Sequence, residues 1–345
     1  MTEDKQGKNI VVFSDGTGQE GGTGSNTNVY KLFNMILDRS PADQIGFYDR
    51  GLGTGWRKLT GSIAGMGISK NIQECYKFIF ENFDASDRVF LFGFSRGAAT
   101  VRSLSAFLAL FGVLPKSRPE LITQAYRIYK KRNKAKRKRL ADEFLARHHT
   151  MKVPVQFLGV WDTVAALGVP FRTMDVLLDR IPFWRHKFHS YELNKRVKHG
   201  RHALAIDDER RTFHPLLWDE ETFPEQTMKQ VWFCGMHTDV GGGYKEQGLS
   251  DVALQWMIDE ATQHGLLIYP DHKVTINPDA HGKMHDSRSG FPGKLFRKEQ
   301  RFWPKTRGDK PVVHASVIQR AEEASGKHGP YRPWILDRDP DVEGV

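Results

Sequence analysis

The chain has 345 residues, 39% hydrophobic and 27% charged, a balance that excludes an intrinsically disordered chain and suits a globular one with a substantial core. The longest apolar stretches, Leu104–Leu114 and Val153–Val160, fall short of the ~20 residues a membrane-spanning helix needs. The net charge of +10 is local, because Arg127, Lys130, Lys131, Arg132, Lys134, Lys136, Arg137, Lys138 and Arg139 crowd one segment.

Taken in chain order, Asn9–Ser14 is a β-branched apolar run suited to a buried parallel strand, and a glycine-rich loop, Asp15–Ser25, follows it. A helix is expected from Asn26 or Thr27 to Asp38, then a strand over Ile45–Asp49. Gly51–Gly67 reads as a glycine-rich loop, longer than ordinary connections. A helix over Ile68–Phe83 leads to a third strand, Arg88–Gly93, which passes into a helix over Gly97–Phe111. Glu120–His148 reads as one helix carrying the basic block, and Val153–Val160 as the fourth strand. Phe171–Glu225 is irregular and reads as a cap over the sheet; Lys229–Gly235 is the fifth strand. Ser250–His264 is a helix with Ser250 as N-cap, and only Val312–Ala324 looks regular beyond it. Strands alternating with helices predict a single α/β domain over 1–345, α/β-hydrolase-like. Its mostly parallel sheet has about five core strands, with helices on both faces, a cap over 171–225 and an irregular extension, 265–345, packed on the domain. The polar start, Met1–Lys8, shows no apolar signal region, so a cytoplasmic protein is the default expectation. Cys75 and Cys234 lie in apolar periodic segments and read as buried free thiols.

Parallel sheets bind ligands at the carboxyl ends of their strands, so the residues after each strand matter most. The third strand ends in Gly93-Phe94-Ser95-Arg96-Gly97, the strand–turn–helix context of a nucleophile elbow. A serine needs a base, and in such folds the acid and histidine follow later in the chain. Asp162 ends the fourth strand and His237 the fifth, so a triad of Ser95, His237 and Asp162 is expected, with Asp239 as rival acid. The oxyanion donors expected are the backbone N–H of Arg96 and that of Gly16 or Thr17, if the first strand takes the third place of a full hydrolase sheet. The same loop has the look of a phosphate-binding turn but lacks the Walker spacing and lysine. No cofactor is implied and no metal site is read; convergence of Asp15, Asp162, His237 and Asp239 on a hard cation would leave the elbow unexplained. The basic block reads as a solvated helix face or as a contact for anionic lipid through Lys130, Lys131, Lys134, Arg137 and Lys138. Nucleic acid fits less well, since interleaved aromatics are missing.

The chain resembles the catalytic domain of type VI secretion phospholipase effectors. The resemblance rests on Phe13-Ser14-Asp15-Gly16-Thr17, Thr27-Asn28-Val29-Tyr30-Lys31-Leu32 and Tyr48-Asp49-Arg50-Gly51-Leu52-Gly53-Thr54-Gly55. It continues through Leu91–Ala98, Phe157–Val164, His202–Asp207 and Val231–Tyr244. It implies an α/β-hydrolase fold, lipid ester hydrolysis by a serine triad at Ser95, Asp162 and His237, and delivery by a secretion system. Two residues depart from the family's habit: Ser14 precedes Asp15 where Phe is more often followed directly by Asp, and Ala99 replaces an aromatic after the elbow. The leading expectation is therefore a phospholipase-like serine hydrolase of lipid carboxylic esters working through an acyl-enzyme. The alternatives are an esterase or thioesterase of a small soluble substrate and a non-catalytic membrane- or nucleic-acid-binding protein.

Overall fold

Every side chain of β1 (Asn9–Ser14) is buried, which places this strand at the heart of a sheet covered on both faces. The computed structural model describes residues 7–16, 22, 24–36, 43–51, 61–164, 192–219, 222–289, 296–304, 310–322 and 330–344, with side chains of the helix that opens at Gly61 described from residue 67. The other strands are β2 (Gln44–Asp49), β3 (Arg88–Phe94), β4 (Val155–Trp161), β5 (Val197–Ala205), β6 (Thr227–Phe233), β7 (Val312–His314) and β8 (Asp341–Glu343). They form one sheet in the order β2-β1-β3-β4-β5-β6-β7-β8 with every pairing parallel. The α/β class is as expected, but the sheet has eight strands where about five were anticipated.

Helices α2 (Gly61–Asn82), α3 (Arg96–Phe111), α4 (Leu121–Tyr129) and α5 (Lys134–Arg147) follow one another along the chain. Tyr76, Ile79, Leu104, Phe107, Ala125 and Phe144 from these helices join Ile10, Val12, Leu91 and Val160 of the strands in one core. The alternate strand residues Val11, Phe13, Phe92, Phe157 and Phe233 pack against α1 (Asn28–Ile36) and the helix that follows β6 in the core, here α7 (Gly248–Gln263), reached through the short α6 (His237–Gly241). The last helix, α8 (Ala315–Glu322), adds Val317 to a third cluster with Leu204, Trp232, Val313 and Ile335.

Three differences from the sequence reading have physical causes. The basic helix is two helices, because Asn133 caps α5 by accepting from the Lys136 N–H at 2.8 Å and so ends the earlier turn. Residues 197–205, assigned to the cap, are a central strand whose apolar pattern is masked by Arg201 and His202, both buried. Arg201 is accommodated there by a salt bridge to Glu260 at 2.5 Å. Helix α7 starts at Gly248, and Ser250 instead donates its hydroxyl to the Gln247 carbonyl at 2.9 Å. The expected extension from 265 supplies β7 and β8 to the sheet edge. Residues 171–191 and 220–221 of the expected cap and 52–60 of the expected glycine-rich loop lie outside the described residues.

β1 pairs with β2 on one side and β3 on the other, so the strand order reverses there, the point at whose carboxyl ends open α/β sheets take their ligands. The start of α3 sits hard against this point: a Cβ on Gly97 would stand 2.0 Å from the Ser14 carbonyl oxygen. Gly97→Ala is expected to lose at least about 2 kcal/mol of stability in urea denaturation, since backbone must move. An unchanged midpoint would refute this close approach.

Candidate active site

Ser95 occupies the turn between β3 and α3 with φ 58 and ψ −120, a left-handed backbone that costs a non-glycine residue about 1–3 kcal/mol. The turn is held by its Ser95 N–H, which donates to the Trp161 carbonyl at the end of β4 at 3.1 Å. A Cβ on Gly93 would stand 2.7 Å from the Gly97 carbonyl carbon, so the tight turn needs glycine there as well. Arg96 opens α3, where the first N–H groups have no acceptor within the helix.

His237 is the first residue of α6, just beyond β6. Its Nε2 lies 2.9 Å from Ser95 Oγ, and its Nδ1 lies 2.5 Å from Asp162 Oδ2. The ring packs between Phe94, at 4.6 Å between centroids, and Phe213, at 5.2 Å and nearly perpendicular. Phe94 reaches that position because Gly241 leaves it room: a Cβ there would stand 2.0 Å from the Phe94 ring. Asn28 fixes the α6 segment by donating from Nδ2 to the Val240 and Ser250 carbonyls, both at 2.9 Å. Ser95 and His237 are 7% and 5% exposed, so any proton exchange between them is shielded from bulk water.

Asp162 also has a left-handed backbone, φ 39, and no solvent exposure. Its Oδ1 accepts from the Ala205 N–H at 3.1 Å and from Arg301 Nη1 at 2.7 Å; its Oδ2 accepts from Arg301 Nη2 at 2.8 Å. Burial pushes the Asp162 carboxyl up, but the Arg301 charge and the His237 hydrogen bond outweigh it and hold the group well below the usual carboxylate range. An ionised Asp162 only accepts, so the proton of neutral His237 resides on Nδ1 and leaves Nε2 to accept from the Ser95 hydroxyl. Burial lowers the His237 pKa, with Asp162 pulling in the opposite direction.

The structure thus brings Ser95, His237 and Asp162 into one hydrogen-bonded chain. Asp239 stands apart from the His237 ring: it accepts from His285 Nδ1 at 2.6 Å and from the Met236 N–H at 3.1 Å. Gly16 lies beside Ser95, with an added Cβ meeting Ser95 Cβ at 3.4 Å, but its N–H donates to its neighbour Asp15 Oδ1 at 2.7 Å. Thr17 lies outside the described residues. Asp15 is buried and also accepts from Thr27 Oγ1 at 2.5 Å and Tyr48 Oη at 2.6 Å. Burial nonetheless pushes its carboxyl up to about 6. Asp15 and Asp239 thus spend their oxygens away from Asp162 and His237, and no group of three or more His, Cys, Asp or Glu is placed to hold a metal ion among the described residues. Sequence reasoning missed Phe213, Asp208 and Arg301. Asp208 accepts from the His237 N–H at 3.3 Å and pairs with Arg210 at 2.6 Å. Nothing in the spacing of Arg301 ties it to Asp162; only the fold does. Lys130, Lys131, Lys134 and Lys138 are exposed on the turn between α4 and α5 and along α5, and Arg137 is half-buried.

Residues 8–260 match the model of the family described as T6SS, phospholipase effector Tle1-like, catalytic domain. An uncharacterized protein of Saccharomyces cerevisiae is 29% identical over 259 residues, covering 68% of this chain and 36% of its own length. This chain therefore spans about a third of that curated relative. Among solved structures, an uncharacterized protein from Pseudomonas aeruginosa aligns at 15% identity and TM-score 0.45, over 79% of this chain and 48% of its own. The Tle1 effector bound to the VgrG spike of the type 6 secretion system aligns at 18% identity and TM-score 0.37, over 70% and 52%. A thermophilic esterase from Thermogutta terrifontis, with propionate bound, aligns at 11% identity and TM-score 0.39, over 76% and 86%.

The Asp15 carboxyl yields a pH prediction. Its folded value of about 6 exceeds the ordinary 3.8, so folding favours its protonated form, and that contribution to stability fades as pH rises from about 4 to 6. Asp15→Asn is expected to flatten the melting temperature against pH in this window relative to the parent chain. Parallel curves would show that Asp15 does not titrate there.

Proposed function

The chain belongs to the family of T6SS Tle1-like phospholipase effector catalytic domains, and from that premise we propose that it is a serine hydrolase of lipid carboxylic esters. The observation that carries this reading is the chain of contacts from Ser95 Oγ to His237 Nε2, 2.9 Å, and from His237 Nδ1 to Asp162 Oδ2, 2.5 Å. In the mechanism that follows, Ser95 Oγ attacks the ester carbonyl while its proton passes to His237 Nε2. Asp162 stabilises the resulting imidazolium and keeps the ring oriented. The Arg96 N–H meets the oxyanion; the Gly16 N–H can join it only after leaving Asp15. Collapse breaks the carbon–oxygen bond to the alcohol, which takes the proton from His237 and departs, leaving the acyl group on Ser95. Water then gives a proton to His237 as it adds to the acyl carbon, and the acyl bond to Ser95 Oγ breaks as His237 returns that proton to Oγ, releasing the carboxylic acid and free Ser95.

A lipid surface as the source of substrate is supported by the direction of the helices. Helix α3 starts at Arg96, directly after Ser95, and runs away from it, and Phe144 of α5 packs at 5.5 Å on Phe111 at the far end of α3. Helix α5 leads toward the amino end of β4, so its start at Lys134 and the preceding Lys130 and Lys131 point back toward the Ser95 end. Each such cation gains ~1 kcal/mol near an anionic surface. No helix among the described residues is long and apolar enough to cross a membrane, and the contact proposed here is with the surface of the bilayer.

Ser95→Ala is expected to reduce turnover of a p-nitrophenyl ester by ~10⁴-fold or more with an unchanged circular dichroism spectrum. Retained turnover would remove Ser95 from the chemistry. The triple change Lys130→Glu, Lys131→Glu and Lys134→Glu is expected to weaken binding to phosphatidylserine vesicles by about a hundredfold or more in a sedimentation assay, at ~1 kcal/mol per cation removed. Equal binding by both proteins would place the surface contact elsewhere.

A further inference from the structure

Arg301 enters the site from the segment 296–304, beyond the end of the family match at residue 260. Its guanidinium is fully buried and grips both oxygens of Asp162, Nη1 to Oδ1 at 2.7 Å and Nη2 to Oδ2 at 2.8 Å. The same nitrogens donate to the Ala205 carbonyl at 2.5 Å and the Phe213 carbonyl at 2.6 Å. Ala205 lies beside Asp162 on β5, and Phe213 packs against His237. One side chain therefore fastens the acid, the strand beside it and the aromatic wall of the base.

A planar two-pronged cation leaves a carboxylate one orientation, and here that orientation aims Oδ2 at His237 Nδ1. The cation also cancels much of the negative charge that an imidazolium would feel. We propose that Arg301 is a positioning residue that acts through Asp162, fixing the direction of the acid and weakening the basicity of His237. This inference rests on the hydrolase reading above. The other groups facing His237 are Asp208 and Arg210, from the loop after β5, and Ser95 itself. His202 of β5 lies behind Asp162, accepting from the Thr163 N–H at 3.1 Å. Asp208 and Arg210 neutralise each other at 2.6 Å, which leaves Arg301 as the cation that sets the charge on the acid.

The test uses the whole chain and a fluorophosphonate probe that labels an activated serine, with the labelling rate followed against pH. In the parent protein the acid limb of the profile should lie below the ordinary histidine value of 6.5. Arg301→Gln should move that limb upward by about one pH unit, because the Asp162–His237 pair then holds its proton more tightly. Arg301→Lys, which keeps the cation but loses the fork, should restore the limb and lower the plateau rate. A limb that stays put in Arg301→Gln while the rate falls uniformly would reduce Arg301 to a structural brace and overturn the proposal. Should Arg301→Gln fail to fold, the His237 ring titration by NMR in Ser95→Ala decides: a value above 6.5 with Arg301 in place refutes the proposal. Absence of labelling of the parent at any pH would instead refute the hydrolase reading, and the same NMR titration would still judge Arg301.

Discussion

A carboxylate with no access to water stays ionised only when the chain surrounds it with donors and opposite charge, and Asp162 is such a group. Its four donated hydrogen bonds come from Ala205 on β5, from both Nη atoms of Arg301 and from His237 at the start of α6. These donors are 43, 139 and 75 residues away along the chain. The compensation of one buried charge thus recruits the sheet, the C-terminal portion and the glycine-rich turn after β6. Replacing any one donor would leave the carboxylate short of a partner in a dry interior, the costly half of breaking a buried pair.

The elbow obeys a different constraint. Ser95 is strained in its backbone, and the strain is stable because Gly93 and Gly97 let α3 lie against β1 and because the Ser95 N–H is satisfied by the neighbouring strand. Ser95 and Asp162 therefore follow directly on adjacent strands, β3 and β4, and the Ser95 N–H donates to the carbonyl of Trp161, the residue before Asp162. Their relation is set by sheet register, whereas His237 comes from farther away and is set by packing between two phenyl rings.

Much of this was readable from the chain. β1, β3 and β4 are continuous apolar runs because both their faces are covered, and the residues just past their ends are the ones that matter. Ser95, His237 and Asp162 could be named because strand ends in a parallel sheet converge. β5 was illegible: Arg201 and His202 are polar on paper and buried in fact, and only their partners explain why. β7 and β8, three residues each, are too short to carry a pattern. Arg301 lies in a polar stretch with no periodicity, and a contact formed across 139 residues leaves no mark on local sequence. The choice between Asp162 and Asp239 also needed three dimensions, since the nearer residue in sequence turned out to serve His285.

β5 separates β4, which leads to Asp162, from β6, which leads to His237. Its last residue, Ala205, touches Asp162 through its N–H and Arg301 through its carbonyl, and it has no exposure. A methyl group is all this position offers, and its neighbour two residues earlier, Ala203, is equally small and equally enclosed. The separation between Asp162 and the segment that carries His237 is therefore bridged by a strand whose two nearest residues are alanines, Ala203 accepting from the Asp162 N–H and Ala205 donating to its carboxylate, so a larger side chain at either enclosed position would have to displace its neighbours.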